Sequence, residues 1–202
     1  MIKNIVFDIG NVLLDFNPLA YLNDLFIEEK ISEQLQEQIF KSPEWLLLDR
    51  GTITREETLE VLSLRHPVNA DKIEKSLAGW MEILTPKEES IQLVNKLYAL
   101  DYKLLLLSNF HKDAFEFITD KYEFFKMFQG GIISYKENLI KPEAEIYEKL
   151  LKKYELAASE TIFIDDTFEN VAAAKKAGIN AILFKDCEQL KADLKVHNIK
   201  VD

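Results

Sequence analysis

The chain has 202 residues, of which 48% are hydrophobic and 30% charged, and Cys187 is its single cysteine. These proportions are typical of a globular protein that buries its own core, and one cysteine excludes an internal disulfide or a thiolate metal cluster. The formal net charge of -10 argues against nucleic acid or an anionic membrane surface as a partner, because long-range repulsion would oppose the encounter. An anionic ligand must therefore be small and locally neutralised.

Targeting signals are not evident. The N-terminus runs directly into Asp8 without a long apolar stretch or a small-residue cleavage site, and Leu104–Leu107 is too short to span a bilayer. With the single cysteine, this favours a reducing, cytoplasmic location. The sequence leaves open whether the protein is a monomer or a homodimer.

Five short apolar runs predict buried strands, and helical periodicity separates the last four of them. The runs are Ile5–Phe7, Leu104–Leu107, Ile132–Ile133, Ile162–Ile164 and Ala181–Phe184. Strands that alternate with helices predict a parallel sheet with helices on both faces, an α/β Rossmann-like core. Residues 15–84 interrupt this pattern with several helices and no convincing strand. We therefore expect a core of residues 1–14 and 85–202, with an inserted all-helical domain of residues 15–84 over the carboxyl edge of the sheet.

Polar residues follow four of the predicted strands at or just beyond their ends. They are Asp8, Ser108-Asn109, Lys141-Pro142 and Asp165-Asp166. The carboxyl ends of parallel strands converge on one crevice, where open α/β sheets bind their ligands. The sequence therefore predicts three carboxylates, one hydroxyl and one ammonium around a common point.

These residue types suit phosphoryl transfer. A carboxylate such as Asp8 can attack phosphorus if the negative charge of the phosphoryl group is screened. Mg²⁺ can screen it, and it prefers the hard oxygen ligands that Asp8 and the Asp165-Asp166 pair offer. The Lys141 ammonium would hold nucleophile and phosphate together, while the Ser108 hydroxyl would donate to the phosphate oxygens. Each residue alone is common in other roles, but their joint occurrence in order indicates an active site.

The same motifs resemble those of the haloacid dehalogenase (HAD) superfamily, in its phosphatase-like branch with a helical cap after the first motif. The resemblance covers nearly the whole chain. The matching segments are Phe7–Val12, Ser108-Asn109, Ile140–Glu143 and Asp165–Asn170. This resemblance implies that residues 15–84 form the cap domain.

The resemblance also implies a metal site. Asp8 would be both nucleophile and Mg²⁺ ligand, and the backbone carbonyl of Gly10 would be a second ligand. Asp166 would be the remaining carboxylate that contacts the metal, with Asp165 beside it either as a ligand or supporting one.

Substrate-binding roles follow from the resemblance as well. Ser108 would bind the phosphoryl group, Asn109 would support it, and Lys141 would neutralise charge between nucleophile and phosphate. In the insert, Arg50–Thr54 resembles the loop that capped members lower toward the active site, which makes Arg50 a candidate for substrate binding. The alternative interpretation is a helix that ends at Gly51 and a new helix with Thr54 as its N-cap.

One departure from the family pattern concerns acid–base catalysis. Phosphatases of this family usually carry an aspartate two residues after the nucleophile, which protonates the leaving oxygen and then activates water. Here that residue is Gly10, and such help is worth about 10²- to 10⁴-fold in rate. His111 could reach the crevice, although beside Lys112 and Asp113 it is more typical of a solvated helix start.

The pattern Asp-x-Gly-Asn-Val nevertheless resembles bacterial glucose-1-phosphate phosphatases and the N-terminal domain of some epoxide hydrolases. A sugar 1-phosphate has a better leaving group than a simple alkoxide. We therefore predict a Mg²⁺-dependent phosphatase that acts on a small phosphorylated metabolite, such as a hexose 1-phosphate, through an aspartyl-phosphate at Asp8.

Three alternatives remain open from the sequence. A haloacid dehalogenase would use the same nucleophile on carbon without a metal, which leaves the paired carboxylates unexplained. A phosphoglucomutase would need the acid–base group that Gly10 lacks. A catalytically degraded member that binds a ligand or a protein would explain Gly10, but it would have no use for Asp8, Ser108, Lys141 and Asp166 in register.

Overall fold

The computed structural model describes residues 1–201 and contains one five-stranded sheet with strand order β3-β2-β1-β4-β5. Every neighbouring pair in it is parallel. The strands are β1 (Asn4–Phe7), β2 (Lys103–Ser108), β3 (Gly131–Ile133), β4 (Thr161–Asp165) and β5 (Asn180–Leu183). The predicted Rossmann-like α/β fold is confirmed, with each strand within a few residues of its predicted apolar run.

The segment between β1 and β2 contains the helices that the sequence predicted for residues 15–84. Its helices are α1 (Pro18–Leu25), α2 (Glu29–Leu35), α3 (Pro43–Arg50), α4 (Arg55–Arg65) and α5 (Ala70–Gly79), with a π-helical turn at Gln36–Phe40 and 3₁₀ turns at Pro67–Asn69 and Trp80–Ile83. Helix α3 ends with Gly51 in the left-handed conformation at φ 77°, and Thr54 caps α4 in a capping box with Glu57. The interpretation with Gly51 as helix end and Thr54 as N-cap is confirmed.

The remaining helices cover the two faces of the sheet. They are α6 (Glu88–Ala99), α7 (Lys112–Lys121), the short α8 (Ser134–Glu137), α9 (Ala144–Lys153), α10 (Phe168–Lys176) and α11 (Cys187–Val196). Successive strand residues face opposite sides, so Ile5 and Phe7 join one buried cluster with α6 and α11, whereas Val6 joins a second with α9 and α10. None of the helices within residues 1–201 is both long and apolar enough to cross a membrane.

The insert enters and leaves the core at one place. The Asp15 N–H donates to the carbonyl of Thr85 over 2.8 Å, and the Lys87 N–H donates to the carbonyl of Leu13 over 2.9 Å. The two chain segments that connect the insert to the core therefore lie side by side, a few residues after the end of β1. The division into two domains at residues 14/15 and 84/85 stays a prediction.

Candidate active site

Lys141 lies between two carboxylates at the carboxyl edge of the sheet. Its Nζ atom is 2.8 Å from Oδ1 of Asp8 and 2.6 Å from Oδ2 of Asp165. Asp8 follows β1, Asp165 ends β4, and Lys141 lies in the loop before α9. All three are buried, with 7% of Asp8, 4% of Lys141 and none of Asp165 exposed. The strand ends thus bring these residues together as the sequence predicted.

Burial and the three charges shift the ionisation of this group. Burial raises the pKa of Asp8 to about 7, against the attraction of Lys141, and repulsion from Asp165 acts in the same direction as burial. Burial alone would lower the pKa of Lys141, but attraction to both carboxylates outweighs it and raises that pKa. Lys141 therefore stays protonated, and Asp8 needs positive charge nearby to be fully ionised.

Asp165 is fixed by hydrogen bonds on both of its oxygens. The Thr167 N–H donates to Oδ1 over 2.8 Å, and the Asn170 amide lies 3.0 Å from Oδ1 and 3.2 Å from Oδ2. The Tyr147 hydroxyl in turn donates to the Asn170 carbonyl. Because Oδ2 also accepts from Lys141, Asp165 is arranged to hold the ammonium.

Three carboxylates could hold a metal ion here. One oxygen each from Asp8, Asp165 and Asp166 lies within 4.8 Å of the others. Among residues 1–201, Oδ1 of Asp8 is sealed from solvent and has the Lys141 ammonium as its only neighbouring donor. Burial raises the pKa of Asp166, and repulsion from Asp165 adds to this effect. Both features indicate anionic oxygens that lack sufficient positive charge, and oxygen donors of this kind fit Mg²⁺. The Gly10 carbonyl as a further ligand stays a prediction.

Asn11 and Asn109 support the site from neighbouring loops. Asn11 donates from its amide to Oδ2 of Asp166 over 3.2 Å. Asn109 forms two bonds with the backbone of Lys141, accepting from its N–H over 2.8 Å and donating to its carbonyl over 3.0 Å. Ser108 is buried at the end of β2, and its hydroxyl lowers the pKa of Asp8 against the larger effect of burial. Direct substrate contacts of Ser108 and Asn109 stay predictions.

Arg50 joins the insert to the core in this structure. Its guanidinium forms two bonds with the Glu143 carboxylate, of 2.5 and 3.1 Å, and a third with the Asn138 carbonyl. The pair lowers the pKa of Glu143 and raises that of Arg50. The contact between Arg50 and substrate stays a prediction. To form it, the guanidinium would have to leave Glu143 or to bind Glu143 and the substrate at the same time.

A cavity of about 80 Å³ lies between the insert and the core and is bounded mainly by aromatic rings. Its lining comprises Gly10, Phe16, Trp45, Asp49, Trp80, Leu84, Asn109, Phe110 and His111. A Cβ atom added at Gly10 would meet no atom within 4 Å. The backbone at Gly10 therefore leaves room for a Cβ atom, at the position where the resemblance places the family's usual aspartate.

His111 is not the solvated helix start that its charged neighbours suggested. It is 5% exposed, and its ring packs edge-on against Trp45 and Trp80 with centroids 5.1 and 5.0 Å away. Its Nδ1 atom lies 3.2 Å from Oδ1 of Asp49. The pair joins core and insert across 62 positions of sequence, so no local pattern signals it. The only sequence signals are a histidine shortly after the Ser108-Asn109 motif and an acid beside Arg50.

The family model for haloacid dehalogenase-like hydrolases matches residues 2–178, and the chain belongs to this family of hydrolases. It is similar to the sesquiterpene phosphatase astK of Aspergillus oryzae, with 26% identity over 184 residues, covering 91% of this chain and 90% of that protein.

Among solved structures, the chain is similar to the HAD family enzyme bt-2542 from Bacteroides thetaiotaomicron in complex with magnesium and inorganic phosphate. Identity is 23%, the TM-score is 0.72, and 94% of this chain and 99% of that one are covered. A HAD-like family hydrolase from Porphyromonas gingivalis shares 22% identity with a TM-score of 0.74 and full coverage of both chains. At these identities the likeness establishes the shared fold.

Proposed function

We propose that this protein is a Mg²⁺-dependent phosphatase that transfers the phosphoryl group of a small metabolite to Asp8 and then to water. The observation that carries the proposal is the convergence of Asp8, Lys141, Asp165 and Asp166 at one buried sheet edge. Membership of a hydrolase family agrees with it. So do the phosphatase astK among the relatives and the magnesium and phosphate held by bt-2542.

Each residue has a role that its surroundings allow. The Asp8 carboxylate attacks phosphorus, and the Lys141 ammonium neutralises charge between that carboxylate and the phosphate oxygens. Ser108 donates to the same oxygens. Asp8 and Asp166 would hold Mg²⁺, which supplies the positive charge that the buried Asp8 carboxylate needs to approach an anion. We assign Asp166 rather than Asp165 to the metal because both Asp165 oxygens are occupied by Lys141, Thr167 and Asn170.

The walls of the cavity beside Gly10 favour one class of leaving group over another. Its walls are mostly aromatic, and two of its polar side chains are engaged, Asp49 with His111 and Asn109 with Lys141. A hexose, the class that the motif pattern suggested, would bury hydroxyls there with few partners, which costs free energy. The walls therefore favour the phosphate ester of an apolar alcohol, in agreement with the sesquiterpene substrate class in the name of astK.

The other candidates fit the site less well. A dehalogenase acting on an anionic haloacid would gain nothing from three clustered carboxylates. A binding protein without catalysis would have no reason to bury Lys141 between Asp8 and Asp165, because buried charges are costly unless paired. A phosphoglucomutase would have to direct the phosphoryl group to a sugar hydroxyl, for which the aromatic cavity offers little polar recognition.

The test is phosphate release from glucose 1-phosphate, an isoprenyl phosphate and p-nitrophenyl phosphate, each with Mg²⁺ and with chelator. Asp8→Asn removes the nucleophile at nearly constant shape, and Asp120→Asn, at an exposed position of α7, makes the same chemical change elsewhere. We expect Mg²⁺-dependent release that Asp8→Asn abolishes and Asp120→Asn preserves, with the isoprenyl ester ahead of the hexose ester. Turnover that survives in Asp8→Asn or in chelator would contradict the proposal.

A further inference from the structure

The proposed reaction needs a group that gives a proton to the leaving oxygen and later takes one from water. Gly10 has no side chain to do this. Of the polar side chains in the cavity beside it, Asn109 cannot titrate and Asp49 is bonded to His111. Lys141 is held between Asp8 and Asp165. His111 is the remaining cavity residue that can carry a transferable proton.

We propose that His111, oriented by Asp49, is the general acid and base of this site and takes over the work of the aspartate that Gly10 replaces. The inference rests on the proposed phosphatase function. The proposed pair consists of His111 from the core and Asp49 from the insert, so it exists only when the two are packed together.

The ring of His111 is oriented as a proton donor requires. A carboxylate bonded to Nδ1 keeps the proton of the neutral ring on that nitrogen and stabilises the imidazolium when it forms. Among residues 1–201, Nε2 has no hydrogen-bond partner, and it is not among the completely sealed polar atoms. Trp45 and Trp80 contact the ring by its edges and restrict its rotation. One nitrogen is thus held by Asp49 and the other is left for a substrate oxygen or water.

Ser134 fixes both partners of the pair. Its hydroxyl donates to the Asp49 carbonyl over 2.5 Å and accepts from the Phe110 N–H over 2.9 Å. Asp49 is the penultimate residue of α3, and Phe110 immediately precedes His111. A single buried hydroxyl on α8 therefore holds the two backbones in place, so that the histidine and its carboxylate meet when the insert lies on the core.

Other charged groups near His111 line a different cavity from the one beside Gly10. Arg55, Glu56, Lys112 and Asp113 line a second cavity, of about 340 Å³, to which His111 also contributes. Two of these groups are acids and two are bases, and among residues 1–201 it is Asp49 that lies in hydrogen-bond contact with the ring. The cavity that His111 shares with Gly10 is lined by Asp49 and Asn109 as its other polar side chains, and by apolar residues elsewhere.

His111 returns to its starting protonation state after one turnover. An Asp8 oxygen attacks phosphorus as the bond from phosphorus to the leaving oxygen breaks, and the His111 imidazolium gives its Nε2 proton to that oxygen. After the alcohol leaves, neutral His111 accepts a proton from water as the water oxygen attacks phosphorus. The bond between phosphorus and Asp8 breaks, which restores the carboxylate, the imidazolium and free phosphate.

The experiment compares His111→Gln with the wild type on p-nitrophenyl phosphate and on an alkyl phosphate, in single-turnover and steady-state modes. The aryl oxide leaves without protonation, so we expect the variant to release p-nitrophenolate in a burst at a rate within about tenfold of the wild-type rate. Alkoxide needs protonation, so we expect alkyl ester cleavage to fall about 10²- to 10⁴-fold. Steady-state aryl turnover should also fall, because the water step still lacks its base, and phosphorylated protein should accumulate.

Three further variants separate catalysis from structure. Asp49→Asn should lose activity in the same substrate-dependent pattern, since it leaves His111 in place but removes the carboxylate. His197→Gln, at the end of α11, is the matched control and should behave as the wild type. Gly10→Asp in the His111→Gln background restores an acid at a position where a Cβ meets nothing, and we expect alkyl phosphate turnover to recover at least about tenfold.

The outcomes are distinguishable. Wild-type protein without phosphatase activity overturns the proposed function and the role of His111 with it. Wild-type activity together with equal losses of the single-turnover cleavage rate on both esters in His111→Gln overturns the acid–base role and leaves a packing role for His111. No loss on either ester overturns it as well. Thermal melts of each variant establish that the compared proteins are folded.

Discussion

Replacing Lys141 by methionine should expose how strongly the buried charge cluster is coupled to stability. The ammonium is 1% exposed as a side chain and lies 2.8 and 2.6 Å from the carboxylates of Asp8 and Asp165. Methionine keeps most of the volume and removes the charge. The change leaves two buried carboxylates without their shared cation, and breaking a buried pair in this way typically costs about 3–5 kcal/mol.

The cost should depend on pH, and its sign follows from Asp8. Burial raises the pKa of Asp8 from 3.8 to about 7 with Lys141 present, and removing Lys141 raises it further. A raised folded-state pKa gives stability that is complete below the unfolded pKa and is lost as pH rises through the folded pKa, at up to about 1.4 kcal/mol per pH unit. Wild type stops losing stability near pH 7, whereas the variant continues to lose it. The destabilisation should therefore be smallest near pH 5 and largest near pH 8.5.

The assay is urea unfolding of the metal-free proteins at three pH values, with Lys149→Met as control. Lys149 forms a partly exposed ion pair with Glu137, which also pairs with Lys153, so its loss should cost at most about 1 kcal/mol with little pH dependence. A Lys141→Met penalty below about 1 kcal/mol at pH 8.5, or one that shrinks as pH rises, would refute the reasoning.

Two other predictions concern the metal and the insert. Asp166→Asn should weaken the rise of Tm with Mg²⁺ concentration, because tighter binding to the folded state stabilises it more at a given Mg²⁺ concentration. Glu169→Gln, at an exposed residue three positions after Asp166, should leave the titration unchanged. An unaltered titration in Asp166→Asn would remove Asp166 from the metal site. Arg50→Ala breaks the bonds to Glu143 and Asn138. Limited proteolysis should therefore cut the insert faster in the variant, while the free energy of unfolding falls by about 1 kcal/mol or less. Equal digestion of variant and wild type would show that other contacts hold the insert.

The sheet could be predicted from the sequence because its strands are short apolar runs with polar residues at their ends. Four of these runs are fully buried, which is typical of parallel strands, whereas Ala181–Phe184 on the edge strand β5 is buried only in part. The site residues could be predicted for the same reason, since Asp8 and Asp165 stand at the ends of neighbouring strands. Asp8 and Asp165 meet Lys141 because the sheet is parallel and their strands end at the same edge. The catalytic roles predicted for these residues came from the resemblance to a known family.

The contacts between insert and core could not be predicted. Arg50 pairs with Glu143 over 93 positions and Asp49 with His111 over 62 positions. Helical periodicity shows which face of α3 is apolar, but it does not show where that face docks. His111 lies among charged neighbours in sequence, and Trp45 and Trp80 of the insert pack against its ring.

The central claim is that Asp8 carries the phosphoryl group, and acid-quenched turnover followed by peptide mapping tests it most directly. During turnover of p-nitrophenyl phosphate with Mg²⁺, the account predicts one phosphoryl group on the peptide that contains Asp8. The label should be more abundant in His111→Gln and absent in Asp8→Asn. Phosphate on another residue, or steady turnover with no phosphorylated Asp8 in either protein, would contradict the account.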